Sequence, residues 1–174
     1  MKMYFTEKDY KELLSNIVII HDTREQENGH ILEAFDKKKI AHEERKQETG
    51  DYNFYVKANA ELGFLRDTYF TDELFIERKN SLDELAQSLL AERFHNELKR
   101  AKNRKWKYLI CENASWEKIL KHEYQSNYNE KSFWNTLQTL MFKYDLQIIF
   151  IDKSLSYQII YSLCKKCLEQ QIEH

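Results

Sequence analysis

Glu77 and Lys79 stand two positions apart, directly after the apolar run Leu74, Phe75 and Ile76. In an extended strand that spacing puts both side chains on one face and Arg78 on the other. A carboxylate beside an ammonium has two chemical readings. It is a surface ion pair, worth little, or it is one metal ligand with one cation that positions water. The triplet alone is common by chance, so the decision rests on other acids. Two further apolar runs end in acids, at Asp22 and Glu112, and Asp51 follows Gly50 just before Phe54 and Val56. Carboxylates gathered at one end of a sheet repel unless a cation lies between them. Oxygen-only ligands suit Mg2+ or Mn2+, and too few are present for a dedicated Ca2+ cage. A partly hydrated Mg2+ polarises phosphate oxygens and lowers the pKa of a bound water. Lys79 would then orient or deprotonate the attacking water, or stabilise charge developing on the phosphorane. Each acid also has a structural reading: Asp22 as a cap, Asp51 as a turn residue, Glu112 as a strand end, and Asp83 as a first-turn helix acid.

The elements that would hold these residues alternate along the chain. Residues 17–20 are a β-branched run of the kind buried on both faces of a sheet. Asn28 and Gly29 open a helix with Ile31, Leu32 and Phe35 on one side. Residues 41–47 are charged and read as an edge strand. A strand through residues 54–56 follows, and then a loop or hairpin excursion over 59–72 with Gly63 as its turn. The strand over 74–79 runs into Ser81, whose hydroxyl and the Glu84 carboxylate form a capping box. One helix is expected from there through Leu82, Leu85, Leu89, Phe94 and Leu98. Further strands are expected over 108–111 and 146–151, with helices starting at Ser115 and carrying Phe133, Leu137 and Leu140. Residues 1–15 read as an N-terminal arm or short helix, and 152–174 as a terminal helix. The order predicts one α/β domain over 1–174, a central mixed β-sheet with helices on both faces.

Composition excludes some functions. The chain carries 27 Lys and Arg against 29 Asp and Glu, a formal net charge of −2, which argues against a protein that coats nucleic acid by charge alone. It leaves room for an enzyme with a local basic groove and an acidic metal site. No apolar run is long enough to span a bilayer, and residues 1–11 show no signal-peptide core. Cys111, Cys164 and Cys167 are an odd set without a disulfide framework, which points to a reducing compartment. The Cys164-x-x-Cys167 pair lacks a second ligand pair for zinc and reads as packing.

Three stretches, Asp22-x-Arg24-Glu25, Gly50-Asp51-Tyr52 and Glu77-Arg78-Lys79-x-x-x-Asp83, occur in order, each at a strand boundary. Together they resemble the nuclease domain of the XPF-type structure-specific endonucleases, whose hallmark is G-D-x(n)-E-R-K-x(3)-D. That domain lies within the restriction-endonuclease-like, PD-(D/E)xK superfamily. Arg93-Phe94 is similar to the family's R-[FY] pair. The resemblance implies that Asp51 and Glu77 ligate the metal, with the backbone carbonyl of Arg78 as a further ligand. It implies that Lys79 acts on the water, that Asp22 completes the acidic cluster, and that Arg24 and Arg93 face the DNA backbone. Ser81 and Asp83 would support the strand end, and Arg78's side chain would brace the fold through an ion pair. The roles of Glu25 and Glu112 stay open.

The resemblance implies a Mg2+-dependent DNA endonuclease, with Mn2+ able to substitute, acting on branched, flapped or forked DNA in repair or recombination. The alternatives are a catalytically silent DNA-binding or partner subunit on the same fold, and a resolvase- or restriction-type nuclease. No helix-hairpin-helix module follows the last strand, and Glu97 stands roughly where the family has Gln. A homodimer through C-terminal helices is expected from the stripe Leu155, Ile159, Ile160, Leu163, Cys164 and Leu168, which core packing explains equally well. A cytoplasmic protein of bacterial or viral origin is expected from the Pro-free, Lys-, Asn- and Tyr-rich composition.

Overall fold

The computed structural model describes residues 5–172. The expected residues 1–4 of the N-terminal arm, and 173–174 of the terminal helix, lie outside them. The strands are β1 (Ile17–His21), β2 (His42–Glu44), β3 (Tyr52–Val56), β4 (Thr68–Tyr69), β5 (Leu74–Lys79), β6 (Trp106–Glu112) and β7 (Gln147–Ile151). The helices are α1 (Glu7–Ser15), α2 (Gly29–Lys38), α3 (Leu82–Leu90), α4 (Glu92–Arg100), α5 (Trp116–Leu120), α6 (Glu130–Tyr144) and α7 (Ser156–Ile172). The sheet order is β2-β1-β3-β5-β6-β7, with β4 on β3. β1 pairs parallel with β2, and β5, β6 and β7 run parallel; β3 is antiparallel to β1, β4 and β5. This is the mixed α/β sheet expected from the order of apolar runs.

Strict alternation along β5 serves both faces. Leu74 and Ile76 join Ile17, Ile19 and Phe54 in the core beneath α1, α2 and α7. Phe75 joins Leu109 and Cys111 in the core beneath α3, α4 and α6. All six residues of β5 are buried, as a central strand with helices on both sides requires. Glu77 and Lys79 continue the Phe75 face, and Arg78 continues the Ile76 face. The directions of β1, β3 and β5 then bring Asp22, Asp51 and Glu77 to one end of the sheet.

The single helix expected through Leu98 is two helices. Ala91 is extended (φ −91°, ψ 127°) and serves as the end of α3 and the start of α4. The reason is phase. Leu85 to Leu89 and Phe94 to Leu98 are spaced by four, but Leu89 to Phe94 is spaced by five, which would rotate the second pair off the core. The extended residue resets the rotation, and Phe94 and Leu98 are buried with Leu85 and Leu89. The capping box is shifted as well. Ser81 Oγ accepts from the Glu84 amide at 3.2 Å, but the Glu84 carboxylate accepts from the amide of Asn80.

Cys111, Cys164 and Cys167 are buried and unbonded. In α7, Ile160, Cys164, Cys167 and Leu168 face the chain's own core, and Ile159 and Leu163 pack against it partly buried. Among the described residues no helix is long and apolar enough to cross a membrane.

Candidate active site

Gly50 starts the site. It is left-handed (φ +82°), and a Cβ there would stand 3.1 Å from the carbonyl oxygen of Ile76 and from the Phe75 ring. Only glycine combines that backbone with that approach. The tight turn brings the amide of Asp51 to the Ile76 carbonyl at 2.8 Å. The Asp51 side chain then does what a neighbouring strand's backbone normally does. Its Oδ2 accepts from the amide of Arg78 at 2.7 Å. β3 and β5 share one registered pair, Tyr52 with Ile76, and side chains take over around it, with Asn53 Nδ2 donating to the Leu74 carbonyl at 2.7 Å.

Asp51 and Glu77 line the floor of an open cleft of about 660 Å³, along with Lys79, Arg24, Arg93 and Glu97. Glu77 is 4% exposed. Its Oε1 accepts from Lys79 Nζ at 2.6 Å, while its Oε2 is buried without a partner. Burial, with repulsion from Glu77 and Glu25, pushes the Asp51 carboxyl well above its ordinary value, against the pull of Lys79. Burial likewise raises Glu77, opposed by Lys79 and assisted by the charges of Glu97 and Glu25. Burial alone would lower the Lys79 ammonium, but Glu77 and Asp51 outweigh it and raise its pKa. Lys79 is therefore a fixed cation in this arrangement. Its Nζ also lies 5.5 Å from the centre of the Phe94 ring, a favourable place for a cation.

Two carboxylates that repel each other, Glu77 buried with one unpartnered oxygen and Asp51 half-buried beside it, are the donor set a hydrated divalent cation requires. Asp51 and Glu77 fit that role. Among the described residues no three His, Cys, Asp or Glu side chains are arranged to hold a metal ion.

Asp22 is differently placed. Its carboxylate accepts from the Arg24 guanidinium at 3.0 and 2.5 Å, from the Arg24 amide at 2.9 Å and from the Gln47 amide at 3.2 Å. Burial pushes it up, but the bonds from Arg24 and Gln47 prevail and hold it below its ordinary value. The structure thus brings Asp22 to Arg24. Arg93 is 71% exposed by side chain, and its Nε lies 3.4 Å from Glu97 Oε1.

Arg78 points away from Glu77, as the strand period requires. It is 2% exposed and reaches Glu25 Oε1 at 2.5 Å and Glu112 Oε2 at 3.1 Å. His30 Nε2 lies 2.8 Å from the other oxygen of Glu112. Glu25 and Glu112, whose roles the sequence left open, are the partners of this brace. Ser81 caps α3. Asp83 Oδ1 accepts from the backbone amides of Gln125 and Ser126 at 2.8 and 2.7 Å. Glu97 is a cleft acid that sequence reasoning did not use. The signal was its place on the Phe94–Leu98 stripe, and the structure buries it there at 5% exposure.

Fold and site together define a restriction-endonuclease-like α/β protein with a paired-carboxylate and lysine centre. The family model described as the ERCC4 domain matches residues 21–163. The chain belongs to the ERCC4 domain family, which bears out the resemblance to XPF-type nuclease domains. Among solved structures, XPF from Aeropyrum pernix is similar at 18% identity with a TM-score of 0.62, covering 86% of this chain and 60% of that one. XPF from Aeropyrum pernix in complex with DNA is similar at 18% identity and a TM-score of 0.62, covering 88% and 66%. The chain therefore spans less than two thirds of the length of these structures. No curated protein sequence matches it.

Proposed function

We propose that this protein is a Mg2+-dependent DNA endonuclease that hydrolyses phosphodiesters in branched or flapped DNA. The observation that carries the reading is the pair Asp51 and Glu77. They are mutually repelling carboxylates, Asp51 half-buried and Glu77 buried with an unpartnered oxygen, beside the Lys79 ammonium 2.6 Å from Glu77. Asp51 and Glu77 would hold the cation, with the backbone carbonyl of Arg78 as a further ligand. A divalent cation there supplies polarisation of the phosphate and acidification of a bound water. Lys79 donates to the attacking water and to the oxygens that gain charge at phosphorus. Lys79, paired with Glu77, would orient the water and stabilise the charge at phosphorus. Asp22 fixes Arg24, and Arg24 with the exposed Arg93 meets backbone phosphates. The DNA-bound XPF relative supports DNA as the partner; branched substrates and a role in repair or recombination are part of this proposal.

The test is a cleavage panel of flap, fork, four-way and linear duplex DNA with Mg2+, Mn2+ or EDTA. Flap or fork DNA is cut with Mg2+ and nothing is cut in EDTA. Glu77→Gln and Lys79→Ala each lower the rate by about a hundredfold or more. Parent-like cutting by both variants sinks the site assignment. Intact DNA binding without cutting on any substrate favours a silent subunit.

A further inference from the structure

The cleft is lined by seven carboxylates and four basic side chains. Two of those four, Arg78 and Lys79, are buried in ion pairs. A polynucleotide lying along this cleft needs contacts that do not depend on charge, and the loop between α5 and α6 offers them.

Residues 122–129 form a cross-linked loop. The His122 ring stacks on Tyr124 with centroids 4.2 Å apart, and its Nε2 lies 3.1 Å from the Ser126 carbonyl. Tyr124 donates its hydroxyl to the Tyr128 carbonyl at 2.6 Å, and Tyr128 bonds Thr136 at 2.7 Å. Both tyrosine rings lie against Phe133, which is fully buried. The loop is tied to the cleft at one point. Asp83 sits in the first turn of α3 and lines the cleft. It accepts the two loop amides on a single oxygen rather than an amide of its own helix. Gln125 and Asn127 are exposed, and among the described residues neither side-chain amide has a hydrogen-bond partner. Two free, uncharged donor-acceptor groups on a rigid support beside an acidic cleft match the oxygens of a nucleic-acid strand and its base edges.

We infer that residues 122–129 form a fixed lip whose Gln125 and Asn127 side chains grip the DNA strand by neutral hydrogen bonds, with Asp83 as the latch that positions the lip. Gln125 and Asn127 are strand-binding residues in this scheme and Asp83 is a positioning residue. The inference rests on the nuclease reading above for the identity of the strand.

The experiment measures Kd for a fluorescein-labelled flapped duplex by anisotropy, in Ca2+ and over a salt series, with Mg2+ cleavage run in parallel. The Gln125→Ala/Asn127→Ala double variant weakens binding and raises KM by about tenfold, two neutral hydrogen bonds being lost, while kcat stays within about twofold. Because no charge is removed, its salt slope equals the parent's, whereas Arg93→Ala lowers the slope by about one. Asp83→Ala loosens the lip and reproduces the loss in Kd, and Asp83→Asn, which keeps an acceptor oxygen, restores it. An unchanged Kd in the double variant overturns the inference, as does a changed salt slope. A parent that binds but does not cut overturns the nuclease reading alone, since the lip is still read through Kd. A parent that binds no DNA overturns both.

Discussion

Replacing Arg78 with methionine removes the cation that bridges Glu25 and Glu112. The parent side chain is 2% exposed, Glu112's side chain is fully buried and Glu25's is 8% exposed. Methionine fills a similar volume, so the cost is electrostatic rather than a cavity. Breaking one buried pair leaves an uncompensated charge at about 3–5 kcal/mol. Two acids lose a partner here, but the losses are unequal. Glu25 sits in the turn after β1 and can move toward the cleft it lines. Glu112 is fixed at the end of β6, and His30 at 2.8 Å is its remaining partner. The expected cost is therefore that of one stranded carboxylate, about 3–5 kcal/mol. That is a large share of the roughly 5–15 kcal/mol of a typical domain. For a chain of this length it lowers Tm by roughly 6–20 °C. Urea and thermal denaturation in EDTA at neutral pH read it out. Arg78→Met/Glu112→Gln recovers a good part of the loss, because the stranded charge is gone and the amide still meets His30. An Arg78→Met loss below about 1 kcal/mol would falsify the brace, a surface-like value. So would a double variant no more stable than Arg78→Met alone.

The site itself carries the opposite effect. Asp51 is raised in the folded state, by burial first and then by Glu77 and Glu25. Its contribution is a destabilisation that is absent below the ordinary value of 3.8 and grows as pH rises toward the folded value. Asp51→Asn therefore melts about 2–8 °C above the parent at neutral pH in EDTA, from about 1–2 kcal/mol relieved. The gap narrows in acid, and the variant loses the Mg2+-induced rise in Tm and the cleavage that the proposed function expects of the parent; differential scanning fluorimetry at two pH values, with and without Mg2+, checks all but the last. Gly50→Ala forces a left-handed backbone on alanine and drives its Cβ at Ile76 and Phe75. It costs about 2 kcal/mol or more by denaturation, and it lowers kcat because the misplaced residue is Asp51.

What the sequence shows and hides follows physical range. β5 and the shared face of Glu77 and Lys79 were legible because strand periodicity is local. The break at Ala91 was visible as the five-residue step from Leu89 to Phe94, yet alanine is a good helix former and gave no stop signal. The partners of Arg78 were hidden. Glu25 is 53 positions away, and only the β5–β6 register, with Lys79 opposite Cys111, brings Glu112 alongside. The latch of Asp83 to Gln125 spans 42 positions, and no local rule pairs them. Asp22 read as one more acid because its spacing to Arg24 does not reveal that the guanidinium folds back onto it.

The join between β3 and β5 has a mechanical consequence. β5 and β6 share six registered pairs and β1 and β3 share five, but β3 and β5 share one. The sheet is thus two plates meeting at a short seam, and the proposed ligands lie on opposite plates, Asp51 beside β3 and Glu77 in β5. A cation held between them would be a staple across that seam. Loading the site would then stiffen the sheet, and exchange of the Arg78 amide, whose acceptor is the Asp51 carboxylate, would report it.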